Sequence, residues 1–121
     1  METSRPTVTG PDEQGAYGIQ DGAETFYMYP LGEALVYEQS GFGSYEDAQS
    51  AIALVVSELH AKSGDKNACT IDLGLGAFIR LNAHISSVQI IFHSSPASNG
   101  ISPLAVIKLT EIRALLASLA D

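Results

Sequence analysis

Gly74-Leu75-Gly76 follows a strand-like stretch, the place where a phosphate-cradling loop would begin. Such a loop needs a further glycine, a Lys-Ser/Thr pair, or a helix N-terminus to aim backbone N–H groups at phosphate. Here Ala77-Phe78-Ile79-Arg80 follows with a strand pattern, so the spacing predicts a turn or bulge between two strands. The histidines are His60, His84 and His93, and the one cysteine is Cys69. Zinc asks for three or four convergent ligands, usually from closely spaced pairs. These four are scattered over a helix and separate strands, so no metal site and no cofactor are expected. Serines are numerous, yet none stands in a Gly-x-Ser-x-Gly elbow. No catalytic residue is assigned, and the expectation leans away from an enzyme.

One constellation follows from strand alternation. Ile79, Leu81 and Ala83 alternate with Phe78, Arg80, Asn82 and His84, while Val88, Ile90 and Phe92 alternate with Gln89, Ile91 and His93. An antiparallel hairpin with Ala83 opposite Val88, Leu81 opposite Ile90 and Ile79 opposite Phe92 buries all six on one face. The same register sets Phe78 opposite His93, Arg80 opposite Ile91 and Asn82 opposite Gln89 on the other face, with His84 at the rim. Phe78, Arg80, Asn82, His84, Gln89, Ile91 and His93 thus form the candidate binding face. Its planar, hydrogen-bonding and apolar groups suit a flat or extended ligand. An ordinary solvated sheet face is the alternative.

The elements that must position this face are read as follows. Met1 to Gly15 shows almost no apolar periodicity and is expected to be a disordered tail, with residues 16–121 forming one domain. Ala16–Gln20 suggests a short strand. Thr25–Tyr29 and Glu33–Gln39 flank Pro30-Leu31-Gly32 and predict a hairpin. Ser44 is a helix N-cap, Glu46 and Asp47 suit the first turn, and Tyr45, Ala48, Ile52, Val55 and Leu59 make one apolar stripe. That predicts a helix over Tyr45–Ser63. Strands follow around Ile71, Ile79 and Ile90, then a loop over Ser94–Pro103, a short strand over Leu104–Leu109, and a helix capped by Thr110. The class is α+β, a mainly antiparallel sheet with two packed helices, in the order two or three strands, a helix, four strands and a helix.

The chain has 121 residues, enough for one core without staples, and Cys69 alone forms no internal disulfide. Neither an apolar run of membrane-spanning length nor a signal-like front segment is evident, so the expected location is cytoplasmic and no membrane partner is expected. Charged residues make up 17% of the chain against a typical figure of roughly 25%. A small domain with so little charge either covers its surface with small polar residues or presents part of it to a partner. The net charge of −8 is concentrated in residues 1–61, where ten acids meet one base. A negative field repels phosphate and disfavours nucleic acid.

Four strands followed by a helix, over roughly Ala68 to Ala120, resembles the unit of the Whirly and Pur-type single-strand nucleic-acid binders. The resemblance implies binding by basic and aromatic residues on the sheet, a role open here to Phe78, Arg80 and Lys108. The leading expectation is a small acidic protein-interaction module, an adaptor, regulator or assembly subunit that forms homo-oligomers. The alternatives are single-stranded nucleic-acid binding through the outward face, or small-molecule binding.

Overall fold

Period-two alternation governs the front of the chain. The computed structural model describes residues 6–22, 24–59, 70–74, 76–94 and 101–120. Strands β1 (Thr7–Thr9), β2 (Tyr17–Asp21), β3 (Glu24–Leu31) and β4 (Ala34–Ser40) pair antiparallel in succession. The β3–β4 turn falls on Gly32-Glu33, with Gly32 in the left-handed region at φ 63° that a tight hairpin favours. Helix α1 (Tyr45–Leu59) follows, then β5 (Thr70–Gly74), β6 (Ala77–His84), β7 (Ser87–His93) and α2 (Pro103–Leu119). The strands form one sheet in the order β1-β2-β3-β4-β7-β6-β5. The expected α+β class and antiparallel sheet are present.

Ser44 caps α1 as its sequence implies, accepting from the Asp47 N–H at 3.1 Å. Ala48, Ala51, Ile52, Val55 and Val56 are buried, whereas Tyr45, placed on the stripe by spacing, stands half exposed in the first turn. The α1 stripe packs on β5, β6 and β7 and against α2. Buried residues of both helices join Ile19, Phe26, Met28, Ile79, Leu81, Val88, Ile90 and Phe92 in one core. Both helices therefore cover the same face of the sheet. Among the described residues no helix is long and apolar enough to cross a membrane.

Three expectations are corrected. Leu104–Leu109 is not a strand but the first third of α2, and the helix cap falls eight residues before the expected Thr110. Ser102 is the true cap, accepting from the Ala105 N–H at 3.2 Å, and Pro103 fits the first turn, where its missing N–H costs nothing. Ala105, Val106, Leu109, Ile112 and Leu116 then bury at helical spacing. Among the described residues the order is four strands, a helix, three strands and a helix, so in the second half of the chain, where the nucleic-acid resemblance is placed, three strands rather than four precede the helix. Within the segment expected to be disordered, Thr7–Thr9 forms β1. It is held by pairing to β2 rather than by a core stripe: Val8 lies beside Ile19, and the Asp12 carboxylate accepts from the Gln14 and Ala16 N–H groups. Met1–Arg5, His60–Ser63 at the expected end of α1, Cys69 and Leu75 lie outside the described residues.

Two substitutions test this account. Ser102→Ala should destabilise the protein by about 0.5–2 kcal/mol through loss of the α2 cap. Ile85, 71% exposed at the β6–β7 turn, is a β-branched residue held at φ 57°. Ile85→Asn should relieve that strain and stabilise by about 0.5–1 kcal/mol. Thermal denaturation of both variants beside the wild type checks the two signs.

Candidate functional site

The β6–β7 register matches the sequence expectation pair by pair, from Phe78 opposite His93 to Ala83 opposite Val88, and His84 lies opposite Ser87 at the rim. All seven expected residues therefore share the face away from the helices. There they engage one another. The Phe78 and His93 rings stack with centroids 4.5 Å apart and an interplanar angle of 14°. Asn82 Nδ2 donates to Gln89 Oε1 at 3.1 Å. His84 Nδ1 lies 3.2 Å from Glu38 Oε2. Arg80 sits beside Ile91 on one side and Thr70 on the other.

Pairing of β4 with β7 extends this face into the front half of the chain. Val36 lies beside Ile91, Ala34 beside His93 and Glu38 beside Gln89. Pairing of β3 with β4 adds Tyr29 beside Val36 and Leu31 beside Ala34. An apolar row, Tyr29–Val36–Ile91, thus crosses three strands and ends at Arg80. Leu31 at 62% exposure, and Phe78 further along, border it on one side. Neither helix covers it.

The face also carries an opening. The β3–β4 ladder stops at Tyr29 and Val36: the first part of β3 pairs with β2, while β4 continues along β7 to Ser40. In the split between them lies a pocket of about 580 Å³. Outward residues Tyr27, Tyr29 and Glu38 line it together with Phe26 and Tyr37, which face the helices, and Arg113 from α2. The pocket therefore reaches through the thickness of the sheet, with Arg113 behind it. The Arg113 guanidinium lies 4.8 Å from the Phe26 ring centroid and 5.9 Å from that of Tyr37. Its Nε donates to the Tyr37 hydroxyl at 3.3 Å and its Nη1 to Glu24 Oε1 at 2.8 Å. Burial acts to lower the Arg113 pKa, but the bonds to Glu24 and Tyr37 outweigh it, so the group is held above its ordinary value. Tyr27 lies over Gly18, where an added Cβ would come within 3.1 Å of its ring. Gly18 thus lets that wall sit close to the sheet.

Tyr29, Leu31, Val36, Glu38 and Arg113 are site residues that sequence reasoning missed. For Tyr29 and Leu31 an outward placement is signalled, since Tyr27, Tyr29 and Leu31 alternate with the buried Phe26 and Met28. The neighbours they acquire depend on the β4–β7 pairing.

The polar cluster at the rim has a definite chemistry. The Ser87 hydroxyl contacts both the Glu38 carboxylate and the His84 carbonyl, while the His84 ring contacts the same carboxylate. Nucleophile activation needs the imidazole on the serine oxygen and the carboxylate behind the imidazole. Here the carboxylate sits between serine and histidine, so Ser87 is not presented to a base. What the cluster does is hold Glu38 ionised: the Ser87 hydrogen bond lowers its pKa most, burial opposes this, and His84 lowers it further. Among the described residues, no three His, Cys, Asp or Glu side chains gather as metal ligands would.

Comparison with known proteins adds no kinship: no family model matches the chain, and neither curated proteins nor solved structures give a match.

The Ser87–Glu38 bond makes a pH prediction with a defined sign. A carboxylate whose folded pKa is depressed stabilises the fold above its unfolded value, and that contribution disappears as pH falls through the folded value. Ser87→Ala should move the Glu38 pKa upward. A carbon-detected NMR titration of the Glu38 carboxyl in wild type and variant reads the shift directly; an unchanged midpoint would remove Ser87 as its cause.

Proposed function

We propose that this chain is a protein-interaction module that self-associates through the outward face of β3, β4, β7 and β6, as a homo-oligomeric adaptor, regulator or assembly subunit. The observation that carries this is the Tyr29–Val36–Ile91 row, contiguous with Leu31 and the Phe78–His93 stack on a face that neither helix covers. Isolated exposed apolar residues are ordinary on any protein, whereas a contiguous set on an uncovered sheet face marks an interaction site.

The size is right for that purpose. With strands about 4.8 Å apart and residues about 3.3 Å apart, four to five strands of seven residues cover roughly 500 Å² in projection. Side chains standing on that area bring its accessible surface toward the roughly 800 Å² that each partner of a standard interface buries. The polar groups support the same reading, since Asn82 is bonded to Gln89 and Glu38 to Ser87. Polar groups already paired within one protomer can be covered without being left unsatisfied. Single-stranded nucleic acid fits less well. Among the described residues of the face Arg80 is the lone Arg or Lys, and Phe78 is already stacked on His93.

Sedimentation equilibrium over a wide concentration range tests the proposal. The wild type should populate a dimer or larger closed assembly. Ile91→Glu should shift it to monomer with the melting temperature held, because Ile91 lies outside the core. A wild type that stays monomeric at the highest concentration would overturn self-association.

A further inference from the structure

The pocket between β3 and β4 has features that a merely covered sheet face does not require. Arg113 Nε and Nη1 are bonded, but Nη2 donates to nothing among the described residues. The guanidinium is fixed in orientation by the Phe26 and Tyr37 rings, so its remaining N–H donors are held in place at the back of a partly apolar pocket. It already shows what it binds, because Glu24 Oε1 sits on Nη1 at 2.8 Å. Glu24 has a side chain 69% exposed, so removing it from the guanidinium uncovers little and costs little desolvation. Glu38 on the opposite wall is different: its charge is answered by Ser87 and His84. The group in the pocket with hydrogen-bonding capacity still open to an incoming acceptor is Arg113.

The mouth says what carries that acceptor. Leu31 and Ala34 close a two-residue hairpin, which makes Leu31–Ala34 and Tyr29–Val36 hydrogen-bonded pairs and places Pro30 at a pair needing no N–H. By the same alternation, the main-chain groups of Thr25 and Tyr27 on β3 and of Glu38 and Ser40 on β4 face the split, and no β3–β4 ladder pair joins them across it. Extended peptide is the ligand that uses strand main chain together with alternating side-chain slots. Tyr27, Tyr29, Leu31 and Val36 supply apolar slots at that mouth.

We propose that this pocket binds an extended peptide segment of a partner protein through an acidic side chain, which displaces Glu24 from Arg113 while flanking apolar residues lie on Tyr27, Tyr29 and Val36. The inference rests on the protein-interaction reading and specifies the chemistry of one partner segment. Glu24 then acts as an internal stand-in that the incoming carboxylate must replace.

The test uses the full chain, dilute enough for sedimentation to show monomer and so leave Tyr29 and Val36 uncovered, and two blocked peptides, acetyl-Thr-Val-Glu-Val-Thr-amide and its counterpart with glutamine in place of glutamate, titrated by NMR. The Arg113 Nε–Hε signal and the Tyr27 and Tyr29 ring signals are the readouts. The glutamate peptide should shift them and bind about tenfold or more tighter than the glutamine peptide, as a charged hydrogen-bond partner implies. Glu24→Gln removes the internal competitor and should tighten the glutamate peptide roughly two- to fivefold. Arg113→Met should erase the difference between the peptides. Should that variant fail to fold, Glu24→Gln, on an exposed hairpin, decides the matter alone. Equal binding of the two peptides, or weaker binding to Glu24→Gln, would overturn the proposal. So would phenylacetate binding as tightly as the glutamate peptide, which would assign the pocket to a free small acid. Concentration-dependent assembly that Ile91→Glu abolishes, alongside a silent pocket, would leave the face reading standing and remove only this inference.

Discussion

The pairing of β4 with β7 is the constraint on which the rest of the structure depends. Every other ladder joins strands that are neighbours in sequence, whereas this one runs from Ala34–His93 to Ser40–Ser87, with α1, β5 and β6 in the intervening chain. Closing so long a loop is entropically costly and has to be compensated by the contacts it creates. Those contacts lie on both faces at once. Toward the helices, Leu35 and Tyr37 join Phe92 and Ile90; away from them, Val36 joins Ile91. A slip of one residue would exchange the two sets and push Val36 into the core layer. The same hydrophobic pattern that fixes the register of the core therefore fixes which apolar residues remain outside.

The pocket follows from the same pairing. Because β4 follows β7 to its end while β3 follows β2, the two strands separate after Tyr29 and Val36. The Phe26–Tyr37 ring contact at 5.0 Å and the Arg113 guanidinium bridge the split on the helix side, so it is a supported opening rather than a gap in the core. The ion pair of Arg113 with Glu24 ties α2 to the β2–β3 hairpin at the same point. Structure and the proposed recognition thus share one cation.

How much of this is legible in the sequence depends on the range of the forces involved. The β6–β7 register is legible because six apolar residues alternate without interruption and only one pairing buries them all. The α1 start is legible because Ser44 and the acids after it act locally. Leu104–Leu109 misleads, since Leu-Ala-Val-Ile-Lys-Leu suits either period; what decides is Ser102-Pro103 ahead of it and the apolar residues continuing to Leu116. β1 escapes notice because three residues on a sheet edge need ladder bonds more than a hydrophobic pattern. Of the site, the seven residues on β6 and β7 are legible as a shared face. Tyr29, Val36 and Arg113 are not, because their places beside that face come from long-range pairing and from the way α2 crosses the sheet.

The central claim is that the row made by β3, β4 and β7 is the surface covered when the protein assembles. Methyl NMR with a soluble paramagnetic agent, over a dilution series of the wild type, tests it most directly. At high concentration the Leu31, Val36 and Ile91 methyl signals should be protected from broadening, and the protection should vanish on dilution. Leu54 and Ile85, exposed elsewhere on the molecule, should broaden at every concentration. Equal broadening of all five residues throughout the series would contradict the account.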